Sequence, residues 1–244
     1  GVVATSTLGL TGHMRLRTAS IDEAVEAAVA QGVRQVVVLG AGLDVRAHRM
    51  ASLKEAVVYE VDHPASQQFK RQRIGQHATA AREVRYVTVD FERQEMTEPL
   101  LDAGFDASEP SFWIWEGVTM YLETAAMIAS LESIARLSAP GSGLAVTYLT
   151  GNMAPLGLPL QGIIHKMFGA IDEPLVGLIE TDVLHDHLER AGFVVEQDGC
   201  SRQWVERHGG SSLLPLPFRA ERLAIVGRVA TSDEAKEPTT TSSD

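Results

Sequence analysis

Four segments of this chain place small or acidic residues directly at the end of an apolar run. Gly40-Ala41-Gly42 follows Val36-Val37-Val38-Leu39, and Glu60 and Asp62 close the run that starts at Val57. Asp90 follows Val84 to Val89, and Glu116 follows Phe112-Trp113-Ile114-Trp115. A glycine turn lets a ligand approach the backbone with no Cβ in the way. Asp62, 22 residues after Gly40, is placed to accept hydrogen bonds from a ribose diol, and Asp90 to receive an adenine exocyclic amine. Together they describe a nucleoside-shaped site. The dinucleotide fingerprint requires Gly or Ala three residues after the second glycine, where this chain has Val45. Asp44, at the start of the next helix, would oppose a pyrophosphate there. A nucleoside cofactor without phosphate fits better, and S-adenosylmethionine is one: adenosine with a zwitterionic methionine tail.

The elements that must position these residues follow from periodicity. Ile21, Val25, Ala28 and Val29 predict a helix over 21–31, stopped by Gly32. Residues 35–39 read as a buried strand, 57–61 as a second, 84–89 as a third, 112–115 as a fourth and 144–148 as a fifth. Between them lie a helix start at 44–50, a helix from Pro64 to Gly75, and a helix capped by Thr124 with Met127, Leu131 and Ile134 on one stripe. A helix over 182–191 and strands near 193–196 and 223–229 complete the pattern. Alternation of this kind predicts an α/β fold: a doubly wound, Rossmann-like, mostly parallel sheet with helices on both faces. Ligands bind such sheets at the carboxyl ends of the strands, where the acidic residues fall. One domain is expected over 1–230. A lid or acceptor-pocket insertion interrupts it at about 150–180, where Met153 to Ile171 would supply an apolar wall. Residues 231–244 read as a polar, disordered tail.

Composition narrows the function. The 244 residues carry 21 Lys+Arg against 32 Asp+Glu, a formal charge of −11 that argues against nucleic acid and against a polybasic membrane anchor. No long uncharged apolar run could span a membrane. Cys200 is the one cysteine, which fits a reducing, cytoplasmic setting. The start, Gly1-Val2-Val3, has neither Met nor a basic leader, which points to residues missing upstream. Arginine outnumbers lysine seventeen to four, a bias of GC-rich bacterial genomes.

Longer stretches resemble a known family. Val38-Leu39-Gly40-Ala41-Gly42-Leu43-Asp44 with Arg46 and Arg49 looks like the first motif of the leucine carboxyl methyltransferase-like family of S-adenosylmethionine-dependent methyltransferases. Tyr59 to Pro64 with Lys70 resembles its second motif and Val87 to Phe91 its third. Trp115-Glu116-Gly117-Val118 with Met120-Tyr121-Leu122 resembles its fourth. Arg17-Thr18 with Asp22 is similar to its arginine segment. The resemblance covers about residues 15–150 and is diffuse beyond. It implies that Arg17 pairs with the cofactor carboxylate and that the backbone of Gly40, Ala41 and Gly42 meets the methionine part. Asp44 and Glu60 fall in the same motifs and join the cofactor set. Asp62 would bind the ribose, Asp90 and Phe91 would frame the adenine, and Glu116 would lie near the transferring methyl. Phe91 stands where leucine is usual. Only sixteen residues precede Arg17, fewer than the family's cover, so the chain is either a fragment or unusually open on the acceptor side.

A sulfonium methyl is already activated, so catalysis reduces mainly to orientation and exclusion of water. A carboxylate acceptor needs no base, whereas a phenol would benefit from one. The expected reaction is O-methylation of a small-molecule carboxylate or hydroxyl, with Glu116, Tyr121 and His165 as candidate catalytic groups. His13, His63 and His165 flank the site; His63 reads more simply as a helix cap and His165 as lid packing. His185 and His187 sit two apart on a helix and point to different faces, so no metal site is expected; His185 should face solvent. A nicotinamide-dependent oxidoreductase and a non-catalytic cofactor-binding module with a truncated cover remain the competing readings. A cover that is absent would leave an apolar patch that a homodimer could bury.

Overall fold

The computed structural model describes residues 2–75, 77–91, 93–151, 176–210 and 220–229, with residues 2–10 described as backbone only. The expected wall at Met153 to Ile171, His165 within it, and the tail at 231–244 lie outside the described residues.

Seven strands form one sheet in the order β3-β2-β1-β4-β5-β7-β6. They are β1 (Gln35–Leu39), β2 (Val57–Asp62), β3 (Glu83–Thr88), β4 (Ser111–Trp115), β5 (Gly143–Leu149), β6 (Phe193–Cys200) and β7 (Glu221–Arg228). The first five run parallel, and β7 inserts antiparallel between β5 and β6. All five residues of β1 and of β4 are buried, which is why both read as unbroken apolar runs and not as alternating ones.

Side chains alternate across each strand and sort into two cores. On one face Val37, Leu39, Tyr59, Val61, Trp113 and Trp115 pack under α5 (Thr124–Arg136) and α6 (Thr181–Arg190) through Leu131, Ile134, Leu184 and Leu188. On the other, Val36, Val38, Val58, Phe112 and Ile114 meet Ile21 and Val25 of α1 (Val2–Ala30) and Trp204 of α7 (Ser201–His208). The short α2 (Arg46–Arg49), α3 (Pro64–Ile74) and α4 (Thr97–Asp102) fill the remaining crossovers. Since β2 and β3 lie on one side of β1, and β4 and β5 on the other, the chain reverses its winding between β1 and β4, which opens the cleft there.

The α/β fold expected from the sequence is the one observed, with four local differences. The first helix begins at Val2, not at Ile21. The helix expected from Asp44 starts at Arg46, with Val45 at the cap position and the Asp44 carboxylate accepting from the Arg46 N–H at 2.6 Å just ahead of it. Thr124 is the first residue of α5, and Glu123 holds the cap position without a side-chain bond. The helices α4 and α7 had no apolar stripe to announce them. No described helix is long and apolar enough to cross a membrane.

Candidate cofactor site

The strand ends converge as the topology requires. After β1 the chain turns through Gly40 at φ +62° and Gly42 at φ +42°, conformations that favour glycine. The N–H groups of Gly40 and Ala41 both reach the Val61 carbonyl, at 2.8 and 3.2 Å, which ties this turn to the end of β2. Asp62 closes the arrangement. One of its carboxylate oxygens accepts from the Gly42 N–H at 2.5 Å and the other from the His63 N–H at 2.7 Å. A carboxylate oxygen has two lone pairs, so a fixed Asp62 still has capacity for a diol. His63 caps α3, its Nδ1 accepting from the Ala65 N–H at 3.3 Å.

Above the cleft lies a network of buried charges. Glu116, at the end of β4, is bound through Oε1 to Arg17 Nε at 2.8 Å and through Oε2 to Arg46 Nη1 at 2.8 Å. Arg46 also binds Asp22 at 2.7 Å and Asp44. Its Nη2 is buried with no hydrogen-bond partner among the described residues. Arg17 extends from α1 to Glu221 Oε1 at 2.6 Å, and the other Glu221 oxygen meets His13. Burial opposes both guanidinium charges. The carboxylates of Glu221 and Glu116 outweigh it at Arg17, those of Asp44 and Glu116 at Arg46, and both pKa values rise. At Glu221 burial is likewise outweighed, by His13 and Arg17, and its carboxyl is held below the usual carboxylate range.

Several expected residues meet here: Arg17, Gly40, Ala41, Gly42, Asp44, Asp62 and Glu116. Glu60 does not join them. Its carboxylate is buried and bound to Lys70 Nζ at 2.6 Å, and burial, only partly offset by Lys70, raises its pKa. It braces β2 against α3. Asp90 follows β3 at the next strand end with Arg93 Nε 3.5 Å away, and Phe91 packs on the first core. Tyr121 ends a single 3-10 turn, Thr119–Tyr121, behind Gly117. Both oxygens of Glu116 are occupied, so it is not a free base. His185 is partly exposed and also paired: its Nε2 lies 2.6 Å from Asp198, which also holds Arg222 and Tyr148. No group of three metal-ligating side chains occurs among the described residues.

Sequence reasoning set His13 at the flank of the site but missed its partner Glu221 altogether. Glu221 opens β7 opposite Leu149 at the end of β5. An antiparallel strand brings its first residue to the edge where parallel strands end, so a residue 105 positions after Glu116 arrives beside it. The one signal was the charged pair Glu221-Arg222 ahead of the apolar Leu223–Val226 stretch.

The donors and acceptors fit a zwitterionic nucleoside. Two arginines stand beside a carboxylate-lined cleft, a buried guanidinium nitrogen lacks an acceptor, and a fixed aspartate lies next to a turn where Gly40 presents no Cβ.

The family model described as leucine carboxyl methyltransferase matches residues 4–135. A protein of Mycobacteroides abscessus, named as an S-adenosyl-L-methionine-dependent methyltransferase, is 35% identical over 234 residues, which cover 95% of this chain and 72% of that one. The chain spans under half the length of several other mycobacterial relatives. Among solved structures, a DUF574 family protein from Streptomyces avermitilis superposes with a TM-score of 0.70 at 18% identity, over 93% of this chain and 88% of that one. The magnesium protoporphyrin IX methyltransferase of Synechocystis PCC 6803, solved with S-adenosylhomocysteine bound, gives 0.51 at 16%, over 88% and 84%. At such identities the likeness is one of fold.

Proposed function

Since the chain belongs to the leucine carboxyl methyltransferase family of S-adenosylmethionine-dependent methyltransferases, we propose that it methylates an oxygen of a small-molecule acceptor, and a carboxylate before a hydroxyl. The cofactor supplies a methyl group already activated on a sulfonium. In this reading Arg17 holds the cofactor carboxylate and Gly40 to Gly42 lie along its methionine part. Asp62 takes the ribose diol, and Asp90 and Phe91 frame the adenine. Glu116 and Arg46 fix Arg17 and set the charge of the cleft. Tyr121 borders the acceptor side.

The observation that supports a carboxylate acceptor is the state of the acidic groups at the cleft. Both oxygens of Glu116 and both of Asp62 are already bound. A carboxylate is ionised at neutral pH and needs no proton removed, whereas a hydroxyl does. Orientation and exclusion of water then do most of the catalysis.

A paired acceptor screen tests this. Carboxylic acids and phenols of matched skeleton are incubated with the protein and S-adenosylmethionine, and the products are separated by mass and by lability to mild base. Base-labile methyl esters are expected, formed at a rate that is flat over about pH 6–8, because the acceptor stays ionised throughout. Base-stable ethers with a rate rising with pH would contradict it, as would methylation at nitrogen or sulfur.

A further inference from the structure

Arginine is a demanding anchor for a ligand carboxylate: its side chain carries about 2 kcal/mol of rotamer entropy unless something else holds the fork in place. Arg17 is held twice. Nε is bound to Glu116 and Nη1 to Glu221, and its Nη2 makes no hydrogen bond among the described residues. That free nitrogen stands over the turn after β4, 3.8 Å from where a Cβ on Gly117 would lie. The fork is therefore aimed at the cleft edge with one face left to bind.

Glu221 is an unusual residue to begin a strand with. It is 4% exposed, and a buried carboxylate costs free energy unless it is paired on both oxygens. Here both are paired, to Arg17 and to His13. His13 is itself fixed, 1% exposed and tilted against Trp204 of α7 with ring centroids 5.3 Å apart. An apolar residue would open β7 against this core at lower cost, because buried ion pairs seldom stabilise more than a packed hydrophobic equivalent. The carboxylate is thus better explained by what it holds than by fold stability. Glu221 also lies outside residues 4–135, the part of the chain that matches the family model.

We propose that Glu221, fixed by His13, is a positioning residue that sets the Arg17 guanidinium for the carboxylate of the cofactor. It acts through Arg17 and touches no reacting atom. The inference rests on the reading that Arg17 binds that carboxylate, and the test separates the two.

The probes are S-adenosylhomocysteine and 5′-methylthioadenosine, which share adenosine and thioether, while only the first carries the amino-acid end with its ammonium and carboxylate. Affinities are measured by calorimetry for the wild type, Glu221→Gln, Arg17→Gln and the double variant. Glu221→Gln should weaken S-adenosylhomocysteine about ten-fold, about 1.4 kcal/mol, and leave methylthioadenosine within about two-fold. The double variant should lose little beyond Arg17→Gln alone, because the two residues act as one unit. If both ligands weaken equally, Glu221 merely supports the fold and the proposal fails. Loss on Arg17→Gln with none on Glu221→Gln overturns the positioning role alone. No loss on Arg17→Gln overturns the reading beneath it as well. Methylthioadenosine binding also reports folding. Should Glu221→Gln not bind it, Glu221→Asp takes its place: it keeps the charge but is one methylene too short to hold both partners, and the same selective loss is expected.

Discussion

Replacing Gly40 by alanine probes how tightly the turn that closes the cleft is built, and its cost divides into two separable parts. The backbone there has φ +62°, so any Cβ meets the left-handed penalty of about 1 kcal/mol. The added Cβ would also lie 2.4 Å from Val118 Cγ2, where carbon atoms normally approach to about 3.5–4.0 Å. Forcing an extra carbon into a packed place costs about 1–3 kcal/mol, so Gly40→Ala should destabilise by about 2–4 kcal/mol. Val118→Ala removes the clashing methyl and leaves the backbone penalty. Guanidinium unfolding of the four proteins of this cycle, followed by tryptophan fluorescence, measures the coupling. Gly40→Ala should cost only about 1 kcal/mol in the Val118→Ala background, and the cycle should couple by the remaining overpacking cost of about 1–3 kcal/mol. Additivity within about 0.5 kcal/mol would show that Val118 does not confine Gly40, and would refute the reasoning.

Three further outcomes are expected. Lys70→Met should cost about 3–5 kcal/mol in unfolding free energy because it strands the buried Glu60 carboxylate, and adding Glu60→Leu should recover most of that. Gly177→Ala would place a Cβ 2.1 Å from the Thr119 carbonyl oxygen, so limited proteolysis should find the segment at 176–179 released from the 119–122 turn. Finally, the carboxyl of Glu221 titrates lower when folded than its ordinary 4.5. Its stabilisation is therefore complete above that value and lost as the pH falls through the folded one. Denaturant midpoints should fall more steeply below about pH 4.5 in the wild type than in Glu221→Gln.

The parallel sheet was legible because each of its inner strands is an unbroken β-branched or aromatic run too short for a helix. Val36-Val37-Val38 and Phe112-Trp113-Ile114 are the clearest cases. The glycine turn and Asp62 were legible for a related reason, since both follow such runs directly. The first half of α1 was not. Thr5, Ser6, Thr7, Gly9, Thr11 and Gly12 are weak helix formers, and the inward positions His13 and Arg17 are themselves polar, so no apolar stripe marks it. The helix α7 offers Trp204 as its one fully buried apolar anchor. Glu60 and Asp62 looked equivalent by spacing, but Lys70, one helix later, claims the first and leaves the second at the cleft. Glu221 was hidden by topology: only the antiparallel insertion of β7 brings it to Arg17.

Calorimetric titration with S-adenosylhomocysteine, NAD and NADP, on the wild type and on Asp62→Ala, is the most direct test of a strand-end cleft built for a phosphate-free nucleoside. S-adenosylhomocysteine alone should bind the wild type. Loss of the diol acceptor in Asp62→Ala should weaken it about ten-fold or more, as for removal of a charged hydrogen-bond partner worth about 1.5–3 kcal/mol. Binding of either nicotinamide dinucleotide, or an undiminished affinity in Asp62→Ala, would contradict that assignment of the site.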